Sequence, residues 1–209
     1  MKIAKIETVH VAEFANILFV RIHTDSGLIG LGETYYTPDA TRAFVHEVCA
    51  PMLIGQDARD VEAHWRRLYD ATHVYGNRGN EMRAISAVDV ALWDLLGQVA
   101  GLPLYRLLGG AAREKIQLYN TCAGPLYARG IPGVPRQHQE RRITDNRYED
   151  LEAFTHRADE LAKDLLSEGI RAMKIWPFDP YAAASHGNYI SFADVDRGLE
   201  PVRKIRDAV

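Results

Sequence analysis

The residues able to do chemistry are sparse, and their spacing excludes several kinds of site. The eight histidines form neither an HxH nor an HExxH pattern, so no zinc-ligating pair is legible. Cys49 and Cys122 are far apart without a CxxC spacing, which predicts two unpaired thiols in a reducing compartment. Asp89 and Asp94 stand five apart; on a helix they point about 140° from each other and cannot chelate one ion from the same face. They are expected to be structural, tying the helix to neighbouring backbone or cations. Period-two alternation puts Ala172, Lys174 and Trp176 on one strand face, aiming a cation and an indole the same way. His64, beside Trp65 and Arg66, is expected at the surface or its boundary.

The elements that must position these residues fall into two regimes. Residues 3–12 and 16–24, rich in Ile, Val and Thr, a turn at Asp25-Ser26-Gly27 and residues 28–33 predict a three-stranded antiparallel meander. Helices follow: one capped by Thr37 with Pro38 at its first position, one capped by Asp57 and carrying Val61, Trp65 and Leu68, and one over residues 84–100 ended by Gly101 and Pro103. From Lys115 onward, strands (116–122, 171–176) alternate with helices (148–168, 191–207), which predicts a parallel sheet. Ser191 and Asp194 resemble a capping box, and Pro201 is expected to kink or split the last helix. The long segment 124–148 reads as a mobile lid, with plain disorder as the alternative.

Composition narrows the function classes. With 47% apolar residues the chain can bury a sizeable core, and a net charge of −3 gives no basis for binding a polyanion. No nucleic-acid partner is expected. No apolar run approaches the length that spans a bilayer and no leader is legible at the start, so no membrane partner and a cytoplasmic location are expected.

One stretch is far more specific than the rest. Ala84-Ile85-Ser86-Ala87-Val88-Asp89-Val90-Ala91-Leu92-Trp93-Asp94-Leu95-Leu96-Gly97-Gln98 is followed, after four residues, by Pro103-Leu104-Tyr105-Arg106-Leu107-Leu108-Gly109-Gly110. It resembles the signature of the mandelate racemase and muconate lactonizing enzyme family of the enolase superfamily. The run Gly27-Leu28-Ile29-Gly30-Leu31-Gly32-Glu33, and Leu53-Ile54-Gly55 followed by Asp57, agree with it.

The resemblance implies an α+β capping domain, residues 1–114, built from a three-stranded antiparallel meander plus helices. It is followed over residues 115–209 by the first two βα units of a (β/α) barrel of the enolase type. A complete barrel takes about 250 residues, so the barrel is incomplete in this chain. The implied chemistry removes the proton next to a carboxylate, with a bound Mg²⁺ neutralising the enediolate that forms. Three strand-end carboxylates would hold the Mg²⁺. They belong to the third, fourth and fifth barrel strands, so the metal ligands are expected beyond Val209 and none within this chain.

At the end of the second barrel strand the family often carries Lys-x-Lys, whose second lysine is a base. Here Lys174-Ile175-Trp176 keeps only the first lysine, and an indole cannot accept the α-proton. Lys174 is the one catalytic candidate; it acts electrostatically beside the substrate carboxylate or is paired with a carboxylate in the barrel core, and both readings stay open. By analogy the capping-domain loops that select substrate are residues 13–16 or Tyr35-Tyr36, and residues 73–79. Candidate substrate contacts are Asn16, Tyr36, His73, Arg78, Thr121 and Trp176. The 73–79 run, rich in hydrogen-bonding groups and glycine, suits a polyhydroxylated ligand or a solvated interhelix loop.

The activity implied is that of an acid-sugar dehydratase acting on a small-molecule carboxylate, in a homo-oligomer. A racemase, epimerase or cycloisomerase of the same family is the near alternative. A non-catalytic truncated fragment or oligomerisation module is the alternative from another class, because two barrel strands alone would expose apolar surface.

Overall fold

A computed structural model describes residues 1–11, 16–74, 76, 78–123 and 149–209. The chain divides into two compact units, Met1–Glu114 and Lys115–Val209.

In the first unit, strands β1 (Ile3–His10), β2 (Ile17–Thr24) and β3 (Ile29–Tyr35) form an antiparallel sheet in the order β1-β2-β3. Along β2 the alternate residues Leu18, Val20, Ile22 and Thr24 are buried, the period-two pattern of a sheet with one face on a core. Gly27 takes a left-handed φ of 87° in the β2–β3 turn, where its N–H donates to the Thr24 carbonyl.

The helices then follow without a break in α1 (Pro38–Phe44), a wider π turn (Val45–Cys49) and α2 (Ala50–Leu53). In the π turn the Ala50 N–H reaches back five residues to Val45, just before Pro51, which has no N–H to give. α3 (Val61–Thr72) starts at Asp60 and not at Asp57. The Asp57 carboxylate instead accepts from the backbone and guanidinium of Arg59, so its local loop bond outcompetes the cap. His64 is a correction: it is 1% exposed, its Nε2 is 2.7 Å from the Asp57 carbonyl oxygen, and it sits in the core and not at the surface.

The signature stretch lies on α4 (Asn80–Ala100), which ends at Gly101 in the left-handed conformation. Its face of Ala84, Ala87, Val88, Ala91, Leu92 and Leu95 is buried against the sheet. A Cβ at Gly32 would collide with the backbone carbonyl of Ala87, and one at Gly30 with that of Ala91. The small residues of the signature and the Gly-x-Gly of β3 are therefore two halves of one close backbone approach. The short helix α5 (Leu104–Leu107) closes the unit.

In the second unit β4 (Asn120–Thr121) pairs in parallel with β5 (Met173–Lys174), with Asn120 opposite Met173 and Thr121 opposite Lys174. Both strands are shorter than residues 116–122 and 171–176, because a ladder extends only where a partner backbone accepts it; Ile116 is 74% exposed. Between them run α6 (Asp150–His156) and α7 (Ala158–Ser167). The single helix expected over 148–168 is broken at Arg157, whose φ of −136° and ψ of 45° leave the helical region. Cys122, Phe154, Leu161 and Leu165 form the core of this unit, with Met173 and Ile175 packed on it. α8 (Asp179–Ala184) was not legible in the sequence. In α9 (Phe192–Ala208) the Ser191 hydroxyl accepts from the Asp194 N–H, as the capping box requires, and Pro201 is accommodated within one continuous helix.

Candidate functional site

The first cluster of candidates forms where β3 meets α1. Two consecutive non-glycine residues, Tyr36 (φ 68°) and Thr37 (φ 44°), adopt left-handed backbone. Each such residue costs about 1–2 kcal/mol, and surroundings must over-determine it. Thr37 departs from the cap conformation expected of it: its side chain accepts no helix N–H, and its hydroxyl bonds the Asn80 side-chain carbonyl at the start of α4. The Tyr36 N–H donates to the Asn16 carbonyl at 2.8 Å, so the structure brings together two of the sequence candidates. Arg83, in the first turn of α4, donates to the Tyr35 carbonyl, and its guanidinium lies 5.2 Å from the Tyr36 ring centre. The Tyr35 and Tyr36 rings meet edge to face at 4.1 Å. Burial, and then the hydroxyl of Tyr36, push the Tyr35 phenol above its ordinary pKa, which keeps it a neutral hydrogen-bonding group.

His73 and Arg78 flank the same helix start. The His73 ring stacks on Tyr69 at 5.9 Å, with Nδ1 2.9 Å from the Asp70 carbonyl oxygen. The Arg78 and Gly79 N–H groups donate to the Glu81 carboxylate at 2.8 and 2.7 Å. Those bonds hold the Glu81 carboxyl below its usual pKa, so it stays an anion that fixes the approach to α4. Tyr75, Asn77 and residues 12–15 lie outside the described residues, as does the lid expected over 124–148.

The second cluster belongs to the β4–β5 pair. The Lys174 ammonium lies 5.0 Å from the Trp176 ring and 5.7 Å from the Tyr119 ring, so two aromatic faces solvate one cation. Thr121 is its parallel-register partner. Trp176 stands past the end of β5, where strand alternation no longer governs it, and packs against Phe154 at 6.4 Å while its face meets Lys174.

Among the described residues no group of three His, Cys, Asp or Glu side chains comes together to hold a metal ion, so these residues do not fit a Mg²⁺ site. Asp94, one of the two signature acids, accepts the Leu31 N–H at 2.9 Å and thereby ties α4 to backbone. Asp89 is half-buried, and desolvation together with the Glu62 charge raises its pKa. Asn80, Glu81, Arg83 and Tyr119 were not singled out in the sequence. The first three stand just before the signature at residue 84, and their signal was a polar first helical turn after Gly79.

Comparisons with known proteins agree with this architecture. The model for the mandelate racemase / muconate lactonizing enzyme N-terminal domain matches residues 2–109. A D-galactonate dehydratase family member of Halomonas elongata is 38% identical over 143 residues, 67% of this chain and 35% of that protein. A D-mannonate dehydratase of Novosphingobium aromaticivorans is 37% identical over 137 residues, 64% of this chain and 34% of that one. A crystal structure of an enolase of the mandelate racemase subgroup from Agrobacterium tumefaciens is 41% identical, with a TM-score of 0.80 over 100% of this chain and 47% of its own. A member of the enolase superfamily from Salmonella Typhimurium gives 27% and 0.75, covering 52% of that chain. The chain thus spans about a third of the length of the curated relatives it matches and about half that of the solved structures. With its meander and helices forming the capping domain and the first βα units of the enolase-type barrel after it, this chain belongs to the mandelate racemase / muconate lactonizing enzyme family.

Proposed function

We propose that the chain is the amino-terminal portion of an acid-sugar dehydratase, a lyase that removes the α-proton of an aldonate or aldarate and expels the β-hydroxyl. The resulting enol tautomerises to a 2-keto-3-deoxy acid. The observation that carries this reading is the 37–38% identity, over 137 to 143 residues of this chain, to relatives named for D-galactonate and D-mannonate dehydration. Tyr36, His73 and Arg78 offer phenol, imidazole and guanidinium groups suited to hydroxyls, and Lys174 offers a cation to the carboxylate, whereas Asn16 is buried with its side chain hydrogen-bonded to the Tyr35 phenol and supports the bend at Tyr36 and Thr37 from behind. Residues 1–114 are the capping domain in this reading, and 115–209 the first two βα units.

Lys174 holds the substrate carboxylate and favours the negative charge that grows when the proton leaves. Trp176 cannot take that proton, so the base is assigned to a later strand of the full-length protein. Mg²⁺ is the cofactor carried over from the family, with ligands on later strands as well. A cytoplasmic location and a homo-oligomer complete the proposal. Among the described residues no helix is long and apolar enough to cross a membrane.

The test is a library of aldonates and aldarates incubated with the full-length protein and Mg²⁺ and assayed for 2-keto-3-deoxy acids. Formation from at least one member is expected; turnover of every active member without loss of water would establish the racemase or epimerase reading instead. A second reading, a non-catalytic fragment or oligomerisation module, is favoured by the exposure of Ile116 and Leu118, at 74% and 66%. Dehydration by the isolated 209-residue chain would refute it.

A further inference from the structure

We propose that Arg83 is a positioning residue for substrate selection, holding the left-handed bend at Tyr36 and Thr37 in the conformation that presents the Tyr36 phenol to the ligand. The inference rests on the sugar-acid reading above and adds to it the device that fixes a selecting loop. Left-handed backbone at two adjacent residues with a Cβ is not self-sustaining, and the bend is fastened at three points. Tyr36 N–H donates to the Asn16 carbonyl at one end. The Thr37 hydroxyl bonds Asn80 at the other.

Between them Arg83 makes two contacts with one side chain. Its guanidinium donates to the Tyr35 carbonyl and lies 5.2 Å from the centre of the Tyr36 ring. The first contact fixes the chain just before the bend and the second fixes the ring just within it. Tyr36 remains 37% exposed, so the ring is oriented on one side and accessible on another. Arg83 and Asn80 both stand on α4, whose close approach to β3 is set by Gly30 and Gly32. The bend is thereby referenced to a helix whose inner face is buried against the sheet.

Arg83→Met in the full-length protein is expected to raise KM for the sugar acid that the unaltered protein dehydrates by about tenfold, with kcat within about threefold. Hydrogen exchange at the Tyr36 amide is expected to quicken by about tenfold while the buried Val20 amide of β2 is unchanged. Arg83→Lys keeps a cation for the ring but not the planar fork, and is expected to fall between the two in both measurements. Unchanged KM, or Val20 exchange rising in step with Tyr36, would overturn the proposal. If the unaltered protein dehydrates no sugar acid, the sugar-acid reading fails with the substrate half of the proposal. The exchange measurement then decides by itself whether Arg83 holds the bend.

Discussion

The Asp94 carboxylate accepts the backbone N–H of Leu31 at 2.9 Å, and through that bond a signature acid closes the open edge of a sheet. Among the described residues β3 pairs as a strand on the β2 side alone, so its outward backbone groups need other partners. Asp94 takes one, Gln98 donates to the Ile29 carbonyl at 2.8 Å, and Arg83 takes the Tyr35 carbonyl. Three residues spaced along α4 thus replace part of a fourth strand.

Asp94→Ala is expected to destabilise the protein by about 1.5–3 kcal/mol, the range for a hydrogen bond to a charged group. Asp94→Asn, which retains an acceptor, should lose less. Urea denaturation of both variants checks this, and an unchanged midpoint for the alanine variant would mean that water substitutes for the carboxylate at no cost.

Gly32→Ala should be costlier than any exposed substitution in β3. Its methyl group would meet the Ala87 carbonyl, which is backbone and cannot rotate away, so helix and strand must separate. A loss of about 2 kcal/mol or more is expected. Leu31→Ala, at a side chain 50% exposed, should cost much less by the same measurement.

This packing explains how much of the fold the sequence reveals. The alternation of β2, the small residues of α4 and Gly101 with Pro103 are local signals that tertiary structure reinforces, and the meander and the signature helix were legible from them. The burial of His64 is not legible, because a histidine beside Trp65 and Arg66 gives no sign that the Asp57 carbonyl waits in the core. The split between α6 and α7 was equally hidden, since the apolar stripe runs through Arg157. Within the candidate site, Tyr36 and Lys174 came from the family pattern, whereas Arg83 and Tyr119 act through contacts with residues distant in sequence or on another strand.

Both cysteines are buried, and burial pushes the Cys49 thiol up to about 12 and, with the Asp150 charge adding to it, the Cys122 thiol up to about 11. A folded thiol with a raised pKa keeps its proton while the unfolded one ionises, near about 8.5. Stability is therefore unaffected below that value and falls as pH rises from there toward 11 to 12. The measurement is the urea midpoint from pH 7.5 to 10.5, with Cys49→Ala showing a shallower alkaline decline than the unaltered chain. Equal slopes would contradict a buried, protonated Cys49.

Lys174→Met in the full-length protein is expected to lower kcat for a sugar acid by roughly 10²-fold, the scale of one lost electrostatic contact to developing charge. A thermal melt run beside the kinetics separates the two roles: intact kinetics with reduced stability would assign Lys174 to a core pair. Tyr119→Leu removes one of the two rings around the ammonium and should lower kcat by less than Lys174→Met does.

NMR of the full-length protein acting on a sugar acid in D₂O with Mg²⁺ tests most directly whether α-proton removal leads to loss of water. The predicted product is a 2-keto-3-deoxy acid carrying one deuterium at C3, delivered by solvent when the enol tautomerises. Deuterium at C2 of an otherwise intact sugar acid, with no deoxy product, would contradict dehydration and leave an epimerase or racemase in its place.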